Sequence, residues 1–335
     1  MRKGFYTSGN WLVDKIKFIN SYPKEGMFST ISSIHTSGGG IYNTAIDLSV
    51  MDRNLPIYAA GLIGKDSEGD FLLNKLLKNG IDTSGIKKTD KLPTSFTDVM
   101  TASEHGARTF FHLPGANSLL KAEDILSSNN NAKIFHLAYL LILDGLDAED
   151  PEYGVIAARL FKTLQERGYK TSADVVSDIG NRFQKVVIPC LKYLDYFIIN
   201  EIEASEITNI EIRKPDDTIN LSGLKTAAEK LMEYGVNDSV IIHYPEAAFG
   251  INKNGETAFI NSLQIEKSRI KSSVGAGDSF CAGALYALHE EMSLNKVLQV
   301  ANISASYNLF SETATGGAVS YKVIENDINK HYKGI

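Results

Sequence analysis

The 335-residue chain is 43% hydrophobic and 22% charged, ordinary globular usage for one large α/β domain or two smaller ones. Its net charge of −6 argues against a broadly basic face for nucleic acid. Residues 1–10 lack a signal peptide's apolar stretch, no apolar run approaches the roughly 20 residues of a membrane helix, and the seven histidines form neither HExxH nor a Cys/His cluster for zinc.

In chain order, residues 10–34 have β-rich composition and no helical period. Residues 41–51 read as a helix, 56–63 as a strand and 69–79 as a helix. Residues 92–113 again favour strands, with 95–101 and 107–113 patterned as a hairpin around 103–106. Strand 132–139, helix 153–167, strands 170–176 and 196–199, helix 221–234 and strand 239–244 follow. Helices over 278–290 and 294–308 complete the pattern. Alternation of helices with continuously apolar strands predicts a mainly parallel sheet covered by helices on both faces. The two irregular β stretches read either as a small sheet projecting from the main one or as ordinary edge strands. Cys190 and Cys281, far apart in apolar surroundings, are expected to be buried free thiols, which fits a reducing cytoplasm.

The most informative segment is Ser272-Ser273-Val274-Gly275-Ala276-Gly277-Asp278, followed by a helix whose first turns carry the small residues Ala282, Gly283 and Ala284. Glycines let backbone N–H groups converge, and a helix N-terminus adds partial positive charge, so Gly275, Ala276 and Gly277 can form an anion hole. Asp278 at its mouth is placed to accept a proton from an attacking hydroxyl. The same residues also read as no more than a capped helix start. The chain has neither GxxxxGK[ST] nor GxGxxG, so any nucleotide is held without a P-loop or a dinucleotide fingerprint.

Five motifs in order resemble those of the ribokinase, or PfkB-type, carbohydrate kinases. They are Gly9-Asn10-Trp11-Leu12-Val13-Asp14, resembling a first strand that ends in a sugar-binding Asp, and Gly38-Gly39-Gly40-Ile41-Tyr42-Asn43-Thr44-Ala45, resembling GGxxxNxA. Gly61-Leu62-Ile63-Gly64-Lys65-Asp66-Ser67-Glu68-Gly69 resembles GxxGxDxxG, Asn200-Glu201-Ile202-Glu203 resembles NxxE, and Gly275–Asp278 is the GAGD. The resemblance implies a ribokinase-like fold in one domain over 1–335, with lid strands drawn from about 10–36 and 92–113. It implies a kinase that uses ATP and Mg²⁺ to phosphorylate a sugar, at a primary hydroxyl by preference, with Asp278 as base. Asp14, Gly39 and Asn43 would bind the sugar. Arg108, in the second lid stretch, would reach a charged substituent or the transferring phosphate, or else remain a surface arginine. Asn200 and Glu203 would act near the phosphates, Glu203 holding Mg²⁺ through water. Gly64, Asp66 and Gly69 read as a turn and a helix cap. A lid sheet also offers an edge through which two copies could pair.

The sequence departs from the family at three places. Many members read DTxGAGD, whereas Ser272 and Ser273 stand here, which weakens a monovalent-cation site and predicts low K⁺ dependence. His243-Tyr244-Pro245-Glu246-Ala247-Ala248 replaces a glycine turn of the nucleotide site, and Pro245 fixes φ and lacks an N–H. Thr315-Gly316-Gly317-Ala318 keeps a resemblance to the late segment near the adenine. Two other functions compete: a nucleoside kinase of the same fold, with Tyr42, Phe96 and Phe110 stacking a base, and a catalytically silent sugar- or nucleotide-binding protein.

Overall fold

The computed structural model describes residues 2–102, 108–177 and 182–332. The chain opens with β1 (Phe5–Gly9), β2 (Trp11–Ile19), β3 (Ile31–Gly40), α1 (Ile41–Met51), β4 (Ile57–Gly64), α2 (Ser67–Lys78) and β5 (Asp82–Thr89). Next come β6 (Ser95–Ala102), β7 (Arg108–Leu113), α3 (Ala122–Leu126), β8 (Ile134–Leu140), α4 (Asp144–Asp147), β9 (Glu149–Asp150), β10 (Gly154–Val155) and α5 (Ile156–Glu166). The second half holds β11 (Lys170–Val175), α6 (Phe183–Val186), α7 (Ile188–Leu191), β12 (Tyr196–Asn200), α8 (Glu201–Thr208) and α9 (Leu221–Glu233). It closes with β13 (Ser239–Tyr244), β14 (Ala247–Asn252), β15 (Thr257–Asn261), α10 (Ala276–His289), α11 (Leu294–Asn308) and α12 (Tyr321–His331).

Nine strands form the large sheet, in the order β15-β14-β13-β12-β11-β8-β1-β4-β5. It is parallel from β13 to β5, and β14 and β15 extend it antiparallel. The alternation predicted from sequence is therefore present, and its cause is visible in the parity of the strands. In β8, Phe135 and Leu137 enter one core while Ile134 and Ala138 enter the other. In β12 the split is Phe197 and Ile199 against Tyr196 and Ile198. Both faces are covered, so successive side chains in these runs are apolar except for His136, which is buried in β8 against Ser172. Phe161 of α5 and Leu224 of α9 seal one face; Leu48 of α1, Leu285 of α10 and Val297 of α11 seal the other. On that second face α10 and α11 approach closely at Gly283, where a Cβ would lie 2.9 Å from Ala301 Cα.

The two irregular stretches form a second sheet, β3-β2-β6-β7. β2 pairs antiparallel with β3 and parallel with β6, and β6 pairs antiparallel with β7. The expected turn at 103–106, with residue 107, lies outside the described residues. Two sequence expectations need correction. The first strand of the large sheet is Phe5–Gly9, and Trp11 already belongs to the small sheet, so Asp14 sits inside β2 rather than at the end of the first strand. The helix expected from 153 begins at Ile156, because Gly154 and Val155 pair with Asp150 and Glu149. Among the described residues, no helix is long and apolar enough to cross a membrane. Both cysteines are buried and free.

Candidate active site

The site is built where α10 meets α1 and the small sheet. Gly275 is the N-cap of α10 at φ 79°, a left-handed conformation that suits glycine, and a Cβ there would run into Ala314. Helix geometry leaves the first-turn N–H groups without intrahelical partners, and the 14-residue helix concentrates its positive end at Gly275–Gly277. Asp278 lies in that first turn. One of its oxygens, Oδ2, accepts from Asn43 Nδ2 at 2.8 Å, and the other, Oδ1, accepts from the Tyr139 hydroxyl. Burial raises Asp278 to about 6, and the two donors oppose that rise.

Asn43, buried in the first turn of α1, therefore joins the GGxxxNxA stretch directly to the aspartate of the GAGD. Asp14 faces the same locus: burial, then the Asp278 charge, push it up to about 8. Gly39 is explained by close approach, since a Cβ there would collide with Asp14 Oδ2. Across the small sheet Asp14 is flanked by Ser37 and Thr97, and Thr97 Oγ1 lies 3.1 Å from His112 Nδ1. Opposite partners share a face, so Ser37, Asp14, Thr97 and His112 form one polar row. Arg108, further along β7 on that face, donates from Nη2 to Ser273 Oγ at 2.8 Å, tying the small sheet to the loop before α10. Strand parity places Phe96 on the other face, under Lys15 Nζ at 4.4 Å. Tyr42 is buried, with its ring against Gly38.

On the other side of the site, Asn200 caps α8: its Oδ1 accepts from Glu203 N at 2.8 Å, while Glu203 Oε2 accepts from Asn200 N at 2.9 Å. Glu203 Oε1 accepts from Ser177 Oγ at 2.9 Å, and burial lifts this carboxyl to about 7. Asp174, at the end of β11, is held well above the carboxylate range by burial and then by the Glu203 and Asp278 charges. His243 stacks on Phe280 at 4.5 Å and faces Gly277, whose missing Cβ would lie 3.7 Å from His243 Cε1. Burial pushes its imidazole down to about 4. Pro245 is exposed in the two-residue turn between the paired Tyr244 and Ala247, and Glu246 beside it binds Arg213 at 3.0 Å. Gly317 presses its backbone on Tyr307 O, a packing reason for that glycine.

The structure thus brings together Asp14, Gly39, Asn43, Arg108, His243 and Gly275–Asp278, while Asn200 and Glu203 stand at the neighbouring strand ends. Pro245 is placed instead in the β13–β14 turn, and Gly317 in packing on Tyr307. Asp66 caps α2 by accepting from Gly69 N at 2.8 Å, as its spacing suggested. Sequence reasoning missed Tyr139 and Asp174. Their signal was position: both are polar residues at C-terminal ends of parallel strands, where α/β sheets gather ligands. Among the described residues no cluster of three or more His, Cys, Asp or Glu surrounds a common point.

The sequence model described as pfkB family carbohydrate kinase matches residues 16–319. The chain is 25% identical over 292 residues to a ribokinase of Arabidopsis thaliana, covering 86% of this chain and 71% of the relative. It is 24% identical over 326 residues to a 5-dehydro-2-deoxygluconokinase of Geobacillus kaustophilus, covering 92% and 89%. The solved ribokinase of Giardia lamblia superposes with a TM-score of 0.78 at 19% identity, over 97% of this chain and 99% of that one. The Arabidopsis thaliana ribokinase complexed with ribose and ATP gives 0.75 at 21% identity, over 97% and 98%.

Behind Asn43, one turn on, Asp47 is buried; neither carboxylate oxygen has a hydrogen bond of good geometry among the described residues, and the nearby Ser279 hydroxyl, bonded to Ser304, offsets the burial only in part. Burial holds its pKa well above that of the unfolded chain. A raised folded pKa means that its contribution is most favourable below the unfolded value and is lost as pH rises toward the folded one. Asp47→Asn should therefore gain on wild type progressively as pH rises above the unfolded carboxylate's value, read by urea unfolding across a pH series. A difference independent of pH would contradict this.

Proposed function

Because the chain belongs to the pfkB family of carbohydrate kinases, we propose that it transfers the γ-phosphoryl group of ATP to a hydroxyl, primary by preference, of a pentose, hexose or sugar acid. The observation that carries this reading is the junction of Asp14 and Asn43 with Asp278 at the N-terminus of α10. Asp14 and Asn43 read sugar hydroxyls, and Gly39 keeps the space beside Asp14 open. Asp278 takes the proton of the attacking hydroxyl as the sugar oxygen bonds to phosphorus and the bond to the ADP oxygen breaks. The N–H groups of Gly275–Gly277 meet the charge on the transferring oxygens. The small sheet serves as a lid that excludes water, and Arg108, through Ser273, ties it to the anion loop when closed.

Asn200 and Glu203 serve the phosphates and Mg²⁺. Both Glu203 oxygens already accept protein hydrogen bonds, which fits a hard cation held through water better than direct ligation. Bound with the nucleotide, Mg²⁺ supplies neutralisation of phosphate charge. His243, against Gly277, stands on the nucleotide side, with Pro245 in the exposed turn and Gly317 in the late loop. A nucleoside acceptor has less support, because Phe96 and Tyr42 face away from Asp14 and leave Phe110 alone. A silent binder has less support too, because Asp278 is intact and held by two donors.

The reading predicts ADP release with one or more members of a sugar panel, and a loss of about 10²–10⁴ in kcat in Asp278→Asn. Since the base must be ionised, kcat/KM should rise with pH through about 6. No turnover above the Asp278→Asn control on any sugar would overturn it. Ser272 Oγ accepts from Val274 N at 3.1 Å, in keeping with weak cation binding. Added K⁺ at constant ionic strength should therefore change the rate less than about twofold, and a several-fold rise would restore a cation site. The small sheet exposes Met27 and Phe28 in its β2–β3 connection and Ile34 and Phe111 on its strands, a surface suited to pairing two copies. Sedimentation should show a dimer that Phe28→Ser with Ile34→Ser dissociates; a monomeric wild type at micromolar concentration would refute pairing.

A further inference from the structure

Tyr139 is not part of the motifs, yet its hydroxyl meets the carboxylate on which the reaction turns. It comes from the end of β8, across the site from α1, and burial holds its own proton firmly. We propose that Tyr139 is a positioning residue for phosphoryl transfer: its hydroxyl and the Asn43 amide grip the two oxygens of Asp278, one donor each, and set both the carboxylate's orientation and its readiness to take a proton. This rests on the phosphotransfer reading above.

A carboxylate at the first turn of a helix can rotate about its Cβ–Cγ bond. Donors from two different elements, α1 and β8, fix its plane, as a single donor cannot. Each oxygen keeps a further lone pair, so the acceptor hydroxyl can still bond to Asp278. The donors also counter the burial that raises Asp278. Asp14 from β2, Asp47 from α1 and Asp174 from β11 are each raised by burial first and by the Asp278 charge as a lesser cause, so these carboxyls yield to Asp278 rather than it to them. His243 from β13 approaches the same loop at Gly277 and is neutral, so it adds no compensating charge. Neutral donors that favour the ionised form are then the means by which Asp278 remains a usable base in the physiological range.

The test compares pH profiles of kcat/KM for wild type, Tyr139→Phe and a variant with 3-fluorotyrosine at position 139, on whichever sugar the wild type turns over. Phenylalanine removes the donor and keeps the ring, so the acid limb should move up by about one unit, a tenfold loss of rate below the limb, with sugar KM within about twofold. Fluorotyrosine is a stronger donor of nearly the same size, and its limb should move down. Thermal unfolding checks that each variant is folded. Unchanged limbs in both variants, or shifts of the same sign, overturn the role of Tyr139 while leaving the phosphotransfer reading in place. A folded wild type that turns over no sugar overturns both together.

Discussion

The site depends on one half-buried carboxylate held at the positive end of a helix. Asp278 is unfavourable where it stands unless its charge is answered, and the answers come from three directions: the N-terminus of α10, the amide of Asn43 and the hydroxyl of Tyr139. Each requires a different part of the fold to arrive at the same point. α10 must lie on the sheet at the right height, which its close approach to α11 at Gly283 secures. α1 must begin where β3 ends, and β8 must end opposite both.

That constraint explains why the small sheet is threaded into the site. β2 follows β1 after one residue, and β3 runs straight into α1, so the strand carrying Asp14 and the helix carrying Asn43 are placed by neighbouring stretches of backbone. Gly39 lets the Asp14 carboxylate lie against the chain there. β7 reaches back through Arg108 to Ser273, and His243 of the large sheet lies against Gly277, so the loop before α10 and the helix start are approached from both sheets. A phosphotransferase needs this double contact, because sugar and phosphate must meet in a space from which water is removed.

Much of this was legible in the sequence. Strands covered on both faces announce themselves by unbroken apolar runs, and 196–199 and 239–244 were readable for that reason. Glycines forced by a left-handed conformation or by close approach, such as Gly275 and Gly39, stand out as motifs. The place of Asp14 was misread because Gly9 to Asp14 looks continuous; only pairing shows that the chain changes sheets at Asn10. Tyr139 and Asp174 carried only a positional signal, because nothing in a local pattern separates a functional polar residue from an ordinary one at a strand's end. Their importance comes from what lies across the sheet. The face of Phe96 was undecidable for the same reason: parity has meaning only once the register is known.

The central claim is that Asp278 is a clamped, half-buried base with a raised pKa. It is tested most directly by following its side-chain carboxyl ¹³C shift with pH in the unliganded protein, assigned by its loss in Asp278→Asn. The account predicts a midpoint of about 6. A midpoint near 4, that of an exposed aspartate, would contradict it.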